Sequence, residues 1–337
     1  PLLQFVMPKA KPAKEGQIRG EDEQLSEVVE GFKVKTSKVP SEILKYWGKS
    51  AAFVDVTFLY TLALKVHSIR TILEEGKSIG AHLIPVLNLS DDQAFKEEIF
   101  SLAKIHNSGF SFRIVSSDLL DLSKTNDDIK DLVRTSGITE SSIDLLVDAK
   151  EIGDGDDKCR KSAAASQHLY NLSMWRTFIF ACGAFPADLA GCKIDEENLI
   201  PRDDWKIWND LLSSADVIRK PAFADYTIQH PVYRESTQFF HPTTSIKYTL
   251  DSEWLIMKGK KQRFEMYLAN AKLLVDDSRY FGAGFSCGDK IIAEKAEHYS
   301  AYMKDPTLKG TGSTETWLMV GINHHLTLAA RQVANLL

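Results

Sequence analysis

The sequence predicts an α/β protein, a TIM-like (β/α) barrel that lacks its first strand or opens at it. Two observations lead there. Eight short apolar runs rich in Val, Ile and Phe recur along the chain, separated by segments with helical periodicity. Buried strands alternating with helices are how a parallel sheet covered by helices reads in sequence. Most of these runs also stop at a polar or charged residue, and parallel strands carry such ends to one mouth, where sheets and barrels of this kind place their chemistry.

Taken in order, the first run is LLQFVM around Gln4, and its abrupt start on a strand suggests that native sequence precedes residue 1. Residues 9–24 are polar, carry Pro and Gly, and read as a loop. Ser41 and Glu42 after Pro40 open a short helix that leads into AAFVDV with Asp55. From Thr61 to Glu75, Leu62, Leu64, Val66, Ile69, Ile72 and Leu73 fit helical spacing, with Gly76 as the stop. LIPVLNL with Asn88 follows, then a helix capped by Ser90, Asp91 and Asp92 and stopped by Asn107 to Gly109. FSFRIV with Arg113, a helix from Asn126 to Arg134, and DLLVDAK with Asp148 and Lys150 come next. The GDGDD stretch at 153–157 lacks the closing Glu and the flanking helices of an EF-hand, and reads as a βα loop.

Residues 161–175 read as a helix, TFIFACG up to Gly183 as a strand, and 187–220 as an insertion with WKIWNDLL helical. The last two runs are FADYTI with Asp225 and TSIKYTL with Lys247 and Tyr248. After them the pattern changes. DSEWLIMKGKK reads as a strand or hairpin arm, QRFEMYLANAKLLVDD as a helix, and FSCGDKIIAEKAEHYSAYM as a site-like loop followed by a helix. Residues 312–337 form a C-terminal helical segment that would pack across the outside of the barrel. With no linker or fixed-period repeat to divide it, the chain is expected to be a single α/β barrel domain over 1–337.

Composition narrows the function classes. Forty-one Lys and Arg against 46 Asp and Glu give a net charge of −5, which offers no footprint for general nucleic-acid binding. Four cysteines with no C-x-x-C spacing indicate neither a zinc knuckle nor a disulfide framework. A reducing cytoplasm is the expected location. No apolar stretch reaches the ~18 residues a membrane span requires; even FVDVTFLYTLALKV carries Asp55.

The strand-end residues Asp55, Asn88, Arg113, Asp148, Lys150, Asp225 and Lys247 are the first candidates. Converging carboxylates could act as general acid and base or hold a divalent metal such as magnesium, with Arg or Lys binding an anion. The alternative is that they cap strand ends or pair as internal salt bridges. His230 and His241 flank the loop HPVYRESTQFFH directly after Asp225 and Tyr226, which would overhang the mouth. His324 and His325 are adjacent, so on a helix their side chains diverge by about 100° and at most one would serve a shared site, with one packed and one exposed as the simpler outcome. Ser286 and Asp289 lie in GAGFSCGDK, which is neither a P-loop nor a G-x-S-x-G elbow. It reads as a plain turn or as backbone exposed toward a phosphate. Trp205, Trp208 and Trp254 could stack on a base or simply pack the core.

FVDV, FADYTIQHP, SIKYTLDSEWLIMKG, FSCGDKII and TGSTETWLMVGINHHLT occur in an order and spacing that resemble the "beta protein" family of bacteriophages, prophages and mobile elements, over about Leu2 to Gln332. The resemblance implies association with phage and mobile-element conflict, including defence-like operons, rather than a particular reaction. It points to Asp55, Asp225, Tyr226, Lys247, Tyr248, Ser286, Gly288, Asp289 and His324 as a shared surface. Family members usually begin with a further strand and an acidic segment, carry an acidic residue where Gln4 stands, and have Gly where Ala224 precedes Asp225.

Two functions follow from these readings. In the first, the mouth is a ligand or active site that acts on or senses a phosphate-bearing nucleotide or nucleic-acid end. As an enzyme it would be a hydrolase such as a metal-assisted phosphodiesterase or nuclease. Asp55, Asp148 and Asp225 would be its acidic residues, His230 or His324 its base, and Arg113 and Lys247 its anion binders, with Tyr226, Tyr248, Ser286 and Asp289 lining the ligand. In the second, the barrel is a non-enzymatic antitoxin, sensor or adaptor that binds a protein encoded in the same operon.

Overall fold

The computed structural model describes residues 1–6, 21–153, 157–233 and 243–336. In chain order its elements are β1 (Leu2–Val6), α1 (Glu21–Thr36), α2 (Val39–Trp47), β2 (Ala52–Phe58), α3 (Leu62–Ile79), β3 (Leu83–Asn88), α4 (Gln93–His106), β4 (Phe110–Val115), α5 (Leu122–Ser136) and β5 (Ile143–Glu151). They continue with α6 (Asp157–Ser166), β6 (Thr177–Gly183), β7 (Leu199–Pro201), α7 (Asp203–Ser213), β8 (Ala222–Ala224), β9 (Ile246–Thr249), β10 (Glu253–Met257), α8 (Glu265–Asp276), α9 (Cys287–Lys304) and α10 (Thr314–Ala334).

Among the described residues the fold is mixed α/β, with a seven-stranded sheet in the order β1-β2-β3-β4-β5-β6-β8 and a three-stranded sheet in the order β7-β10-β9. β1 through β5 pair in parallel, each with the next. The expectation of eight parallel strands needs one correction. The eighth run, β9, pairs antiparallel with β10 in the smaller sheet, because a four-residue buried run looks the same whichever direction its neighbour takes.

Two compact units divide the chain. The first comprises residues 1–148, 164–179 and 218–222. Its strands β3 and β4 are almost wholly buried, and helices cover them through apolar stripes such as Leu64, Ile69, Ile72 and Leu73 of α3. Each such side chain removed from water contributes roughly 1.5–3 kcal/mol. Thr61 caps α3 by accepting a hydrogen bond from the Leu64 N–H. Contrary to expectation, Gly76 does not end this helix; it lies inside it, where a Cβ would come within 2.6 Å of Leu83 Cδ1. Gly80, at φ 77°, is the actual stop.

The second unit comprises residues 149–163, 180–217 and 223–337. Its core gathers Ile246, Tyr248, Leu255, Tyr267, Leu274, Ile292, Trp317 and Val320 from β9, β10 and helices α8 to α10. α10 lies directly on β9, close enough that a Cβ at Gly321 would meet the Lys247 carbonyl at 2.9 Å. Trp254 packs edge-on against Phe185, and Trp205 and Trp208 stack with ring centroids 5.3 Å apart, so all three tryptophans pack against other aromatic side chains.

Smaller differences have local causes. α1 starts at Glu21, inside the stretch read as a loop. α5 starts at Leu122 because Asp121 caps it. α6 stops at Ser166, well short of residue 175. Asp92 occupies the cap position of α4 without a side-chain hydrogen bond, while Asp91 instead accepts from the Asn88 backbone and side chain. Residues 154–156 of the GDGDD stretch, and 234–242 with His241, lie outside the described residues. No helix among the described residues is long and apolar enough to cross a membrane, and all four cysteines are free.

Candidate functional site

In the first unit, parallel register sets Gln4 of β1 opposite Asp55 of β2 and Asn88 of β3 opposite Arg113 of β4. Side chains from five strands then meet. Asp55 is fully buried and accepts from Gln4 Nε2 at 2.6 Å. It also accepts from the Thr57 N–H at 2.9 Å and the Thr57 hydroxyl at 2.5 Å. Arg113 lies 2.8 Å from Asp55 and 3.6 Å from Asp148. Burial pushes the Asp55 carboxyl up, but the Arg113 charge and the Thr57 hydrogen bonds outweigh it and hold the group below the ordinary carboxylate value. Asn88 completes the cluster by donating to the Thr57 hydroxyl at 3.0 Å. These residues are therefore brought together as a buried ion-pair network whose carboxylates face protein donors.

A second network fills the core of the second unit. Ser286 caps α9 by accepting from the Asp289 N–H and donates to the Asp289 carboxylate at 2.5 Å. The same carboxylate accepts from Tyr248 at 2.8 Å and faces His324 Nδ1 at 2.9 Å. His324 Nε2 faces the Thr249 carbonyl at 2.8 Å. Both ring nitrogens thus face oxygen atoms that can accept. Asp289 sits below the ordinary carboxylate value: burial raises it, and the hydrogen bond and charge of His324 more than reverse that. Burial, with the adjacent Asp289, pushes the Tyr248 hydroxyl up.

His325 corrects the expectation of one packed and one exposed histidine, since both are fully buried. The divergence along α10 gives each its own carboxylate. His325 Nε2 lies 2.7 Å from Asp225, and its Nδ1 lies 3.0 Å from the Thr249 hydroxyl. Asp225 also accepts from the Thr227 N–H at 2.9 Å. Burial raises the Asp225 carboxyl, and the His325 charge and hydrogen bond bring it below its ordinary value. Asp204, at the start of α7, is pushed the other way, up to about 7, by burial and by the Asp225 charge. Asp204 and Thr249 were not among the sequence candidates. Asp204 sits on a helix, where no strand end marks it; Thr249 shares a face of β9 with Lys247, and its period of two was the one signal available.

Lys247 stands apart from both networks. Its Nζ donates to the Ile228 carbonyl at 3.1 Å and lies 4.5 Å from the centre of the Phe185 ring. Among the described residues no carboxylate pairs with it, and burial pushes its ammonium down to about 8. Lys150 donates to the Tyr226 hydroxyl at 2.9 Å. Its backbone is left-handed at φ 58°, as is that of the β-branched Thr227, a conformation that costs free energy and gathers at functional positions. His230 Nδ1 donates to the Phe185 carbonyl at 3.1 Å, and its Nε2 lies 3.8 Å from Glu151.

No group of three or more His, Cys, Asp or Glu among the described residues is arranged to hold a metal ion. The Asp55 oxygens in particular are already taken by Gln4, Thr57 and Arg113.

A mixed α/β protein with strand-end charges buried in two internal networks, and two strand-end lysines, Lys150 and Lys247, outside them, is what fold and geometry define. The chain belongs to the Beta protein family, whose model matches residues 10–331. No curated protein and no solved structure matches it.

Proposed function

We propose that the protein binds a phosphate-bearing ligand, a nucleotide or a nucleic-acid end, through Lys247, Lys150 and Tyr226 of its second unit. Lys247 carries this reading: a partly buried cation that, among the described residues, meets a carbonyl and an aromatic face but no carboxylate leaves a charge for an anion to neutralise. Strained backbone at Lys150 and Thr227 supports the same place. The resemblance to phage and prophage proteins supports an activity in conflict between phage, mobile elements and host, on a sheet read as an open form of the TIM-like barrel. Extended to chemistry, the reading gives a hydrolase with His230 as its base. In the neutral ring, Nδ1–H on the Phe185 carbonyl leaves Nε2 as the basic nitrogen.

The test is a thermal-shift series with inorganic phosphate and a panel of nucleotides on the wild type and on Lys247→Ala. A ligand at a hundred times its Kd adds about 2.7 kcal/mol of stability, so the wild type melts higher with at least one compound and the variant does not. If no compound moves the wild type, the reading fails.

One observation favours a second reading. Asp55 and Asp289 spend their oxygens on protein donors, which suits a non-enzymatic barrel that binds a protein partner from its own operon. Capture of a single neighbour-encoded protein at unit stoichiometry, in the absence of any nucleotide effect, supports that alternative.

A further inference from the structure

We propose that Lys247 is a nucleophilic amine that condenses with the carbonyl carbon of a phosphate-bearing aldehyde or ketone, such as an open-chain sugar phosphate, to form an imine. The inference rests on the phosphate-binding reading for the location of the ligand and deepens it by naming the ligand's chemical class.

Three observations carry it. Among the described residues the Nζ of Lys247 has one hydrogen bond, to the Ile228 carbonyl, so a lone pair is available once the ammonium gives up a proton. The Phe185 ring lies 4.5 Å from the amine, and removal of the amine from water favours the neutral form that attacks carbonyl carbon; the depressed ammonium value agrees with this. His230 belongs to the same small neighbourhood. It follows Ile228 by two residues and bonds the backbone of Phe185, and its Nε2 is buried without a hydrogen-bond partner among the described residues. Lys150 on Tyr226 supplies the cation for the phosphate.

The Nζ lone pair forms a C–N bond to the carbonyl carbon while the C=O π electrons move to oxygen. The proton shed by nitrogen reaches that oxygen through His230 Nε2, giving a carbinolamine. A second proton transfer then breaks the C–O bond and releases water, leaving C=N. Amine and carbonyl give imine and water, with no redox partner needed.

The experiment treats the whole chain with limiting pyridoxal 5′-phosphate, an aldehyde that carries a phosphate, traps imines with sodium cyanoborohydride, and maps the reduced adduct by peptide mass spectrometry. Pyridoxal, which lacks the phosphate, is run in parallel. The expected result is labelling of Lys247 at least about tenfold faster near pH 7.5 than any surface lysine, as its lower proton affinity requires. Labelling should be faster with the phosphate than without it, and absent in Lys247→Arg. Equal labelling of Lys247 by both aldehydes upholds the imine and removes the phosphate reading. Adducts spread over surface lysines with Lys247 unlabelled overturn the imine, while the thermal-shift series decides phosphate binding independently. Because the wild type is mapped directly, the outcome stands even where a Lys247 variant folds poorly.

Discussion

His324 and Asp289 face each other at 2.9 Å with neither side chain exposed, and the His324 ring stacks on Tyr248 at a centroid distance of 3.9 Å. Removing one member of such a pair leaves an uncompensated buried charge. His324→Ala is therefore expected to lower the unfolding free energy by about 3–5 kcal/mol, read from urea midpoints. Tyr248→Phe removes one hydrogen bond to the same carboxylate and one accepted from the Phe281 N–H, leaves no unpaired charge, and should cost less, about 1–3 kcal/mol. Equal losses for the two variants would contradict the pairing.

Gln4 acts as an amide donor to Asp55, which accounts for the absence of an acid at that position. Gln4→Glu sets a second carboxylate against the first and should destabilise the protein at neutral pH, with the penalty shrinking as the pH falls toward 4 and one of the two carboxyls takes a proton. Thermal melts of both proteins across that range check the sign.

Two carboxylates give opposite pH dependences. Asp55 is depressed in the fold, so the stability it contributes is present above the ordinary carboxylate value and is lost as the pH falls through its lower folded value. Asp204 is raised to about 7; it contributes below the unfolded value near 4 and loses that contribution as the pH rises to about 7. Asp204→Asn keeps an oxygen for the Trp205 N–H and should melt higher than the wild type at pH 8 but not at pH 4. An unchanged difference between the two pH values would refute the assignment.

α9 and α10 approach through glycine. A Cβ at Gly288 would lie 2.4 Å from the Val320 carbonyl, and backbone at that position cannot swing aside like a side-chain tip. Alanine improves helix propensity by up to about 1 kcal/mol, whereas the clash costs about 1–3 kcal/mol. Gly288→Ala should therefore destabilise, and a stabilised variant in denaturant melts would show that the helices sit farther apart.

The strands of the first unit were legible because each is a short buried run bounded by turn residues, and the Asp55–Arg113–Asp148 grouping followed from parallel ends collecting together. The partner sheet was not, since nothing in TSIKYTL distinguishes an antiparallel neighbour from a parallel one. Tyr248, Asp289 and His324 were picked out one by one through the family resemblance, but their meeting depends on α10 lying on β9, a tertiary fact with no local signature. Asp204 was missed because it reads as an ordinary acidic first turn of a helix.

Thr249 gives its carbonyl to His324 and its hydroxyl to His325. One residue thus splices two acid–base pairs end to end, Asp289 on one side and Asp225 on the other. A proton gained or lost at either terminus therefore acts on a single peptide unit and its hydroxyl, a hydrogen-bonded chain whose members polarise one another.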